Sequence, residues 1–335
     1  MSDINKKSMN NNMIKELIWN TVKNSESIAI CGHIRPDGDC VGSCMSLYLY
    51  IRRAYPEKAV YVYMENVPEV FGYICNGYDI ITDYRDVKPE LFISLDCSDS
   101  ERLGNARTMF DNAPHTINID HHISNLSFAE INHFVADSSS TCEVLYELLD
   151  DRLIDTEIAT TLYTGIIHDS GVFQYSNTSK RTMEIGGLLI EKGVRHDYII
   201  DESFYKKSYK QNILMARCVL ESRLYLDNTC IVSVATRKIM EEYDATASDL
   251  EGIVNQLRIT RGTDCAVFMH ETDNDEYKVS LRANNDMDVS KVALKYGGGG
   301  HVKAAGCTIK GKSEDIIARL LDSIVEVRDS IRGGM

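Results

Sequence analysis

SIAICGHIRPDGDCVGSCMSLYLYIRRA, residues 27–54, passes from a short apolar run through a polar loop into a helical pattern. Ser27–Cys31 reads as a buried strand, and Val41–Ala54 repeats its apolar residues at helical spacing. Between them stand His33, Asp37 and Asp39, three metal-ligand side chains on one short loop. Pro36 and Gly38 interleave the acids, which suits a tight loop rather than a helix. In open parallel sheets, ligand sites form just beyond the carboxyl ends of strands, and this loop leaves such an end.

The same grammar continues outward. Strand patterns fall at Ala59–Met64, Leu91–Leu95 and Thr116–Ile119, far enough apart to need crossovers, so a mainly parallel sheet is expected. Residues 12–24 have apolar positions at helical spacing, and further helices are expected near Thr141–Asp150, Thr156–His168 and Thr182–Lys192, the last stopped by Gly193. The charged stretch His196–Arg223 reads as a helical connector. A second α/β pattern follows, with strands Cys230–Ala235, Cys265–His270, Tyr277–Arg282 and Gly306–Ile309. It includes a helix over Ser248–Leu257, one ending near Lys295, a glycine-rich loop and a C-terminal helix. The expected organisation is a first domain over residues 1–195, a connector over 196–223 and a smaller α/β domain over 224–335.

Three further ligand types recur at motif positions: Asp96 in ISLDCSDS, His121 in NIDHHISN and Asp169 in GIIHDSGVF. Asp96 and His121 also follow expected strands, so residues distant in sequence converge on one rim. Four carboxylates and two imidazoles are too many donors for one small cation. Their hard oxygen and imidazole character suits Mn²⁺ first, then Mg²⁺, Co²⁺ or Fe²⁺. Two cations sharing one carboxylate would use all six donors, an arrangement matched to phosphoester hydrolysis.

Composition narrows the partners. A 335-residue chain with 44% apolar and 26% charged residues can pack two domains. Its net charge of −14 argues against a grip on long nucleic acid, which needs many Lys and Arg to displace counterions. A short anionic substrate remains compatible. Ten scattered cysteines without a Cys-x-x-Cys pair read as buried thiols in a reducing cytoplasm. The polar start MSDINKKSMNNN lacks a signal-peptide core, and no run reaches the length of a membrane span. A homodimer is left open.

GHIRPDGD, LDCSDS, IDHH and HDSG resemble the four motifs of the DHH phosphoesterase superfamily, and GGGGHVKAAG resembles the signature of its DHHA1 C-terminal domain. The nearest resemblance is to the compact branch containing nanoRNases, which also dephosphorylate 3′-phosphoadenosine 5′-phosphate (pAp), and linear-dinucleotide phosphodiesterases. The resemblance implies two α/β domains facing across a cleft. It implies that His33, Asp37 and Asp96 hold one metal and that Asp39, Asp96, His121 and Asp169 hold the other, with Asp96 bridging. His122 would face the phosphate as a donor, and Asp120 would orient an imidazole. Arg282, His301 and the backbone of Gly298, Gly299 and Gly300 would bind substrate. Tyr296 and Ala283 depart from the expected pattern without touching this chemistry. The expected activity is hydrolysis of oligonucleotides of about two to five residues to mononucleotides, with pAp as a second substrate. Alternatives are a phosphodiesterase for linear pApA or pGpG, or for cyclic di-AMP, and, more distantly, a silent nucleotide sensor.

Overall fold

The computed structural model describes residues 2–82, 88–273 and 275–332 and divides into two compact units, residues 1–206 and 207–335. In the first unit, β1 (Ser27–Cys31), β2 (Ala59–Tyr63), β3 (Ile80–Ile81), β4 (Leu91–Leu95), β5 (His115–Asp120) and β6 (Ile131–Phe134) form one sheet. Its order is β3-β2-β1-β4-β5-β6, and every neighbouring pair is parallel. The two-residue β3 and the four-residue β6 are too short to announce themselves in the sequence.

Helices cover both faces of this sheet, so its central strands read as continuous apolar runs. Ile28 and Ile30 of β1 pack with Val41, Met45, Leu162 and Ile166 of the helices Gly38–Ala54 and Thr156–Asp169. The alternate residues Ala29 and Cys31 pack on the other side with Phe92, Leu103 and Phe110. The strand order reverses between β1 and β4, which are hydrogen-bonded neighbours. At that reversal the two connections leave in opposite directions and open a crevice above the carboxyl ends. His33 follows β1 and Asp96 follows β4, so both stand at the reversal.

One local expectation is corrected here. The segment Asp37–Asp39 is not a free loop, because Asp37 is the N-cap of the helix that starts at Gly38. Its Oδ1 accepts hydrogen bonds from the backbone N–H groups of Asp39 and Cys40, both at 3.1 Å. Two orphan donors of the first turn are thereby satisfied, which outweighs the turn propensity of glycine.

The second unit holds β7 (Arg223–Tyr225), β8 (Cys230–Ala235), β9 (Cys265–Asp273), β10 (Glu276–Ala283), β11 (Gly299–His301) and β12 (Ala304–Lys310). The order is β11-β12-β10-β9-β8-β7, with only β8 and β9 parallel. One face packs against the helices Val289–Leu294 and Ser313–Arg332, the other against Tyr209–Leu220 and Ile253–Arg258. The single helix expected over Ser248–Leu257 is broken: a 3₁₀ turn over Ala247–Leu250 gives way to Ile253–Arg258 at Gly252, whose φ of 86° is open to glycine. The glycine-rich stretch is likewise not all loop, since Gly299 and Gly300 lie in β11. All ten cysteines are buried free thiols. No helix among the described residues is long and apolar enough to cross a membrane.

Candidate metal centre

Asp96 sits at the middle of the first unit's donors. It follows β4 with a left-handed backbone, φ 57°, a conformation Asp tolerates better than most residues, and its side chain is 2% exposed. Its two carboxylate oxygens face different neighbours. Oδ2 lies 3.4 Å from His33 Nε2, which is itself 3.7 Å from Asp37 Oδ2. Oδ1 lies 3.7 Å from His121 Nε2, which meets Asp169 Oδ2 at 2.9 Å and Asp39 Oδ2 at 4.0 Å. Two donor sets therefore meet at one carboxylate.

These separations fit shared cations better than direct hydrogen bonds. Adjacent ligands around a six-coordinate ion at about 2.1 Å stand about 3 Å apart. Most of the distances above exceed an ordinary hydrogen bond, and the donors are hard oxygens with imidazole. Four carboxylates, from Asp37, Asp39, Asp96 and Asp169, would balance two divalent charges. The residues present thus fit two divalent cations.

Without cations, the imidazoles carry the balancing charge. Burial alone would lower His33, yet the carboxylates of Asp37 and Asp96 beside it raise its pKa to about 11. His121 behaves alike: burial opposes, but Asp169, Asp39 and Asp96 carry it to about 10. Asp39 is pushed up by burial and then by the charges of Asp96 and Asp169. Burial would also raise Asp37, but its contact with His33 and its two capping amides bring it to about 2.

His122 is arranged differently from its neighbour. Its Nδ1 donates to Asp120 Oδ1 at 2.8 Å, and Asn125 Nδ2 holds the other carboxylate oxygen at 2.6 Å. Asp120 is fully buried; burial would raise its pKa, but the bonds from His122 and Asn125 keep it low. This pairing orients the His122 ring and leaves Nε2 as its second donor or acceptor. The ring also lies near Asp96, with Nδ1 3.5 Å from Oδ1.

In the second unit, strand register brings Arg282 and His301 together. Ala304 of β12 pairs with Arg282 on one side and with His301 on the other. Paired residues share a sheet face, so the two basic side chains flank a small alanine, their strands about 10 Å apart. Gly298 and Gly300 are needed for close approach: a Cβ on Gly298 would meet Gly306 O at 2.1 Å, and one on Gly300 would meet Ala304 O at 2.4 Å.

The DHH family N-terminal domain matches residues 27–166, and the DHHA1 domain matches residues 227–327. The chain belongs to the DHH family. Two relatives share the name bifunctional oligoribonuclease and PAP phosphatase NrnA. The one from Mycoplasma genitalium is 29% identical over 316 residues, covering 91% of this chain and 96% of the relative. The one from Bacillus subtilis is 28% identical over 304 residues, covering 89% and 93%. An exopolyphosphatase-related protein from Bacteroides fragilis has the same fold, with a TM-score of 0.88 at 23% identity over 96% of this chain and 98% of that one.

Several residues of the DHH unit escaped the sequence reading. Asp39 is fixed by the N-terminus of the helix Thr141–Leu148, accepting from Thr141 N at 2.6 Å and Cys142 N at 3.0 Å. That partner lies about a hundred residues away and leaves no local signal. Thr141 also donates its hydroxyl to Asp96 Oδ1 at 3.1 Å. Asn177 ties the backbone carbonyls of Asp169 and Ser139 together. Cys40 places its thiol within 4.8 Å of donor atoms on His33 and Asp96. His168, to which no role was given, closes against Gly38, where a Cβ would meet its Cγ at 2.2 Å, and pairs with Ser203 Oγ at 2.9 Å.

Proposed function

We propose that the chain is a two-cation phosphoesterase that cuts short oligonucleotides to mononucleotides and removes a phosphate from pAp. One observation carries this reading: the two oxygens of Asp96 face separate donor sets, His33 with Asp37 and His121 with Asp39 and Asp169. The names of the NrnA relatives point to the same substrates.

When bound, two divalent cations, Mn²⁺ before Mg²⁺, Co²⁺ or Fe²⁺, would stabilise charge on the phosphoryl oxygens and activate water. His33, Asp37 and Asp96 would hold one, and Asp39, Asp96, His121 and Asp169 the other. The chain's own contribution begins with Thr141 N, Cys142 N and the Thr141 hydroxyl, which hold Asp39 and Asp96 in place before any ligand arrives. Asp120 accepts the Nδ1 proton of His122 and aims the ring, so that Nε2, when it carries a second proton, can give that proton or a hydrogen bond to the phosphoryl or leaving oxygen. Arg282, His301 and the backbone at Gly298–Gly300 would grip other parts of the substrate. The net charge of −14 disfavours long polyanions, and the buried free thiols suit a reducing cytoplasm.

The test is purified protein with Mn²⁺, offered pAp, pApA, cyclic di-AMP and RNAs from 2-mers to 24-mers in parallel. Hydrolysis of pAp and of the shortest RNAs, falling with length, is the expected result. Turnover of pApA alone would replace this reading with a dinucleotide phosphodiesterase. Nucleotide binding with no turnover on any substrate would make the protein a sensor.

A further inference from the structure

The DHHA1 unit contains a basic pocket that uses none of the residues assigned so far. It measures about 390 Å³ and is walled by the loop Arg258–Thr263 together with Asn284 and Asn285. Asn284 braces this loop through three side-chain hydrogen bonds. Its Nδ2 donates to Arg258 O at 2.8 Å and Thr263 O at 2.9 Å, while its Oδ1 accepts from Arg258 Nη1 at 3.0 Å. The Thr263 hydroxyl closes the loop again onto Thr260 O at 2.8 Å. The Arg258 guanidinium is thus held in position with most of its donors unspent.

Charge in the pocket runs against the rest of the chain, whose net charge is −14. Among the described residues, neither Arg258 nor Arg261 has a carboxylate partner, and Lys303 adds a third cation by donating to Asn285 O. Of the acids adjacent in sequence to the pocket's residues, Asp264 and Asp286, Asp264 is engaged by Asn285 Nδ2 at 2.9 Å. Arginine forks without acidic partners, on a loop fixed in advance, match the planar oxygen pairs of phosphate.

Arg282 shares a face of the sheet with the helix that leads into the pocket. That residue pairs with Ala266, which packs with Ile253, Val254 and Leu257 of the helix ending at Arg258. Arg282 therefore faces the same side of the sheet, two residues before the brace Asn284. All six proposed cation donors lie in the first unit, and this pocket contains none of them.

We propose that Arg258 and Arg261 bind a second phosphate of an oligonucleotide, outside the reacting one, and so set how substrate length is read. This rests on the oligonucleotide activity proposed above. Arg261 is exposed and makes no structural bond, so Arg261→Gln should fold normally. It is expected to raise KM for a pentanucleotide about 10-fold with kcat nearly unchanged. The slope of log KM against log salt should fall by about 0.7, one phosphate's worth on a single strand. Bis(p-nitrophenyl) phosphate, with a single phosphate, should be cut as before. Arg223→Gln, a charge change on the edge strand β7 of the same unit, should do nothing.

Anisotropy of a labelled pentanucleotide on the metal-free protein separates the two readings. If the wild-type protein cuts no oligonucleotide but Arg261→Gln weakens this binding about 10-fold, the pocket stands and the activity falls. Equal effects of Arg261→Gln and Arg223→Gln, or unchanged pentanucleotide binding and KM, would overturn the pocket.

Discussion

Asp96→Asn separates cation bridging from structural support at one atom. The amide keeps the shape, tolerates the left-handed backbone at φ 57°, and its oxygen can still accept from the Thr141 hydroxyl. It replaces Oδ2, which faces His33, with an N–H₂ group that cannot ligate a cation. One carboxylate charge also disappears from a group of four, of which Asp39 and Asp96 are buried. Turnover should fall roughly 10³-fold or more, about 4 kcal/mol of transition-state stabilisation. Without cations the opposite holds. Burial pushes the Asp96 carboxyl up from its usual range, with Asp37 and Asp169 adding repulsion, so the ionised side chain is held at a cost. Removing it should leave the metal-free melting temperature unchanged or raise it by about 2–4 °C, the shift expected for about 1 kcal/mol in a unit of this size. Elemental analysis should fall from two Mn²⁺ per chain toward one. The added stability conferred by saturating Mn²⁺ should shrink accordingly. Retention of two cations with more than about a tenth of the activity would refute the bridge. A metal-free variant that melts well below wild type would show that Asp96 is held for the fold instead.

His121→Ala should lose a cation, whereas His122→Ala should keep both and lose about 10²- to 10⁴-fold in kcat, because only His121 faces Asp39 and Asp169. Equal depletion in the two variants would sink that division. Arg282→Ala should lower kcat/KM for pAp and dinucleotides about 10- to 100-fold while sparing bis(p-nitrophenyl) phosphate, and an equal loss on both would remove its substrate-gripping role. His133 and His270 are both buried and pushed below the usual imidazole range, His270 also by Lys278. The unfolded chain then binds more protons below about pH 6.5, so stability present above that pH is lost as pH falls through the window down to the folded values. In EDTA, wild type should therefore lose stability relative to the His133→Gln/His270→Gln variant between pH 7.5 and 5.5, the opposing contribution of the raised His33 and His121 being common to both; an unchanged difference between the two would place the acid sensitivity elsewhere.

The ligand types, the strands that deliver them and the α/β class were legible because each rests on local pattern. An apolar run followed by His or Asp states both a strand and what leaves its carboxyl end. Local reading failed where a long-range or capping bond decided the outcome. Glycine and proline around Asp37 spelled a turn, but two backbone N–H groups needing an acceptor made Asp37 a cap and put Asp39 inside a helix. The glycine run from Gly297 spelled a loop, yet Gly299 and Gly300 pair with β12, and at Gly300 only glycine lets the backbones come so close. The sequence by itself determined which residues could carry the chemistry. Only the tertiary structure decided how they meet: the strand order that sets β1 beside β4 at the reversal, the distant helix N-terminus that clamps Asp39, and the register that places His301 and Arg282 on either side of Ala304. Side-chain identity is written along the chain, whereas hydrogen-bond partners between strands and at helix ends are chosen only when distant segments pack.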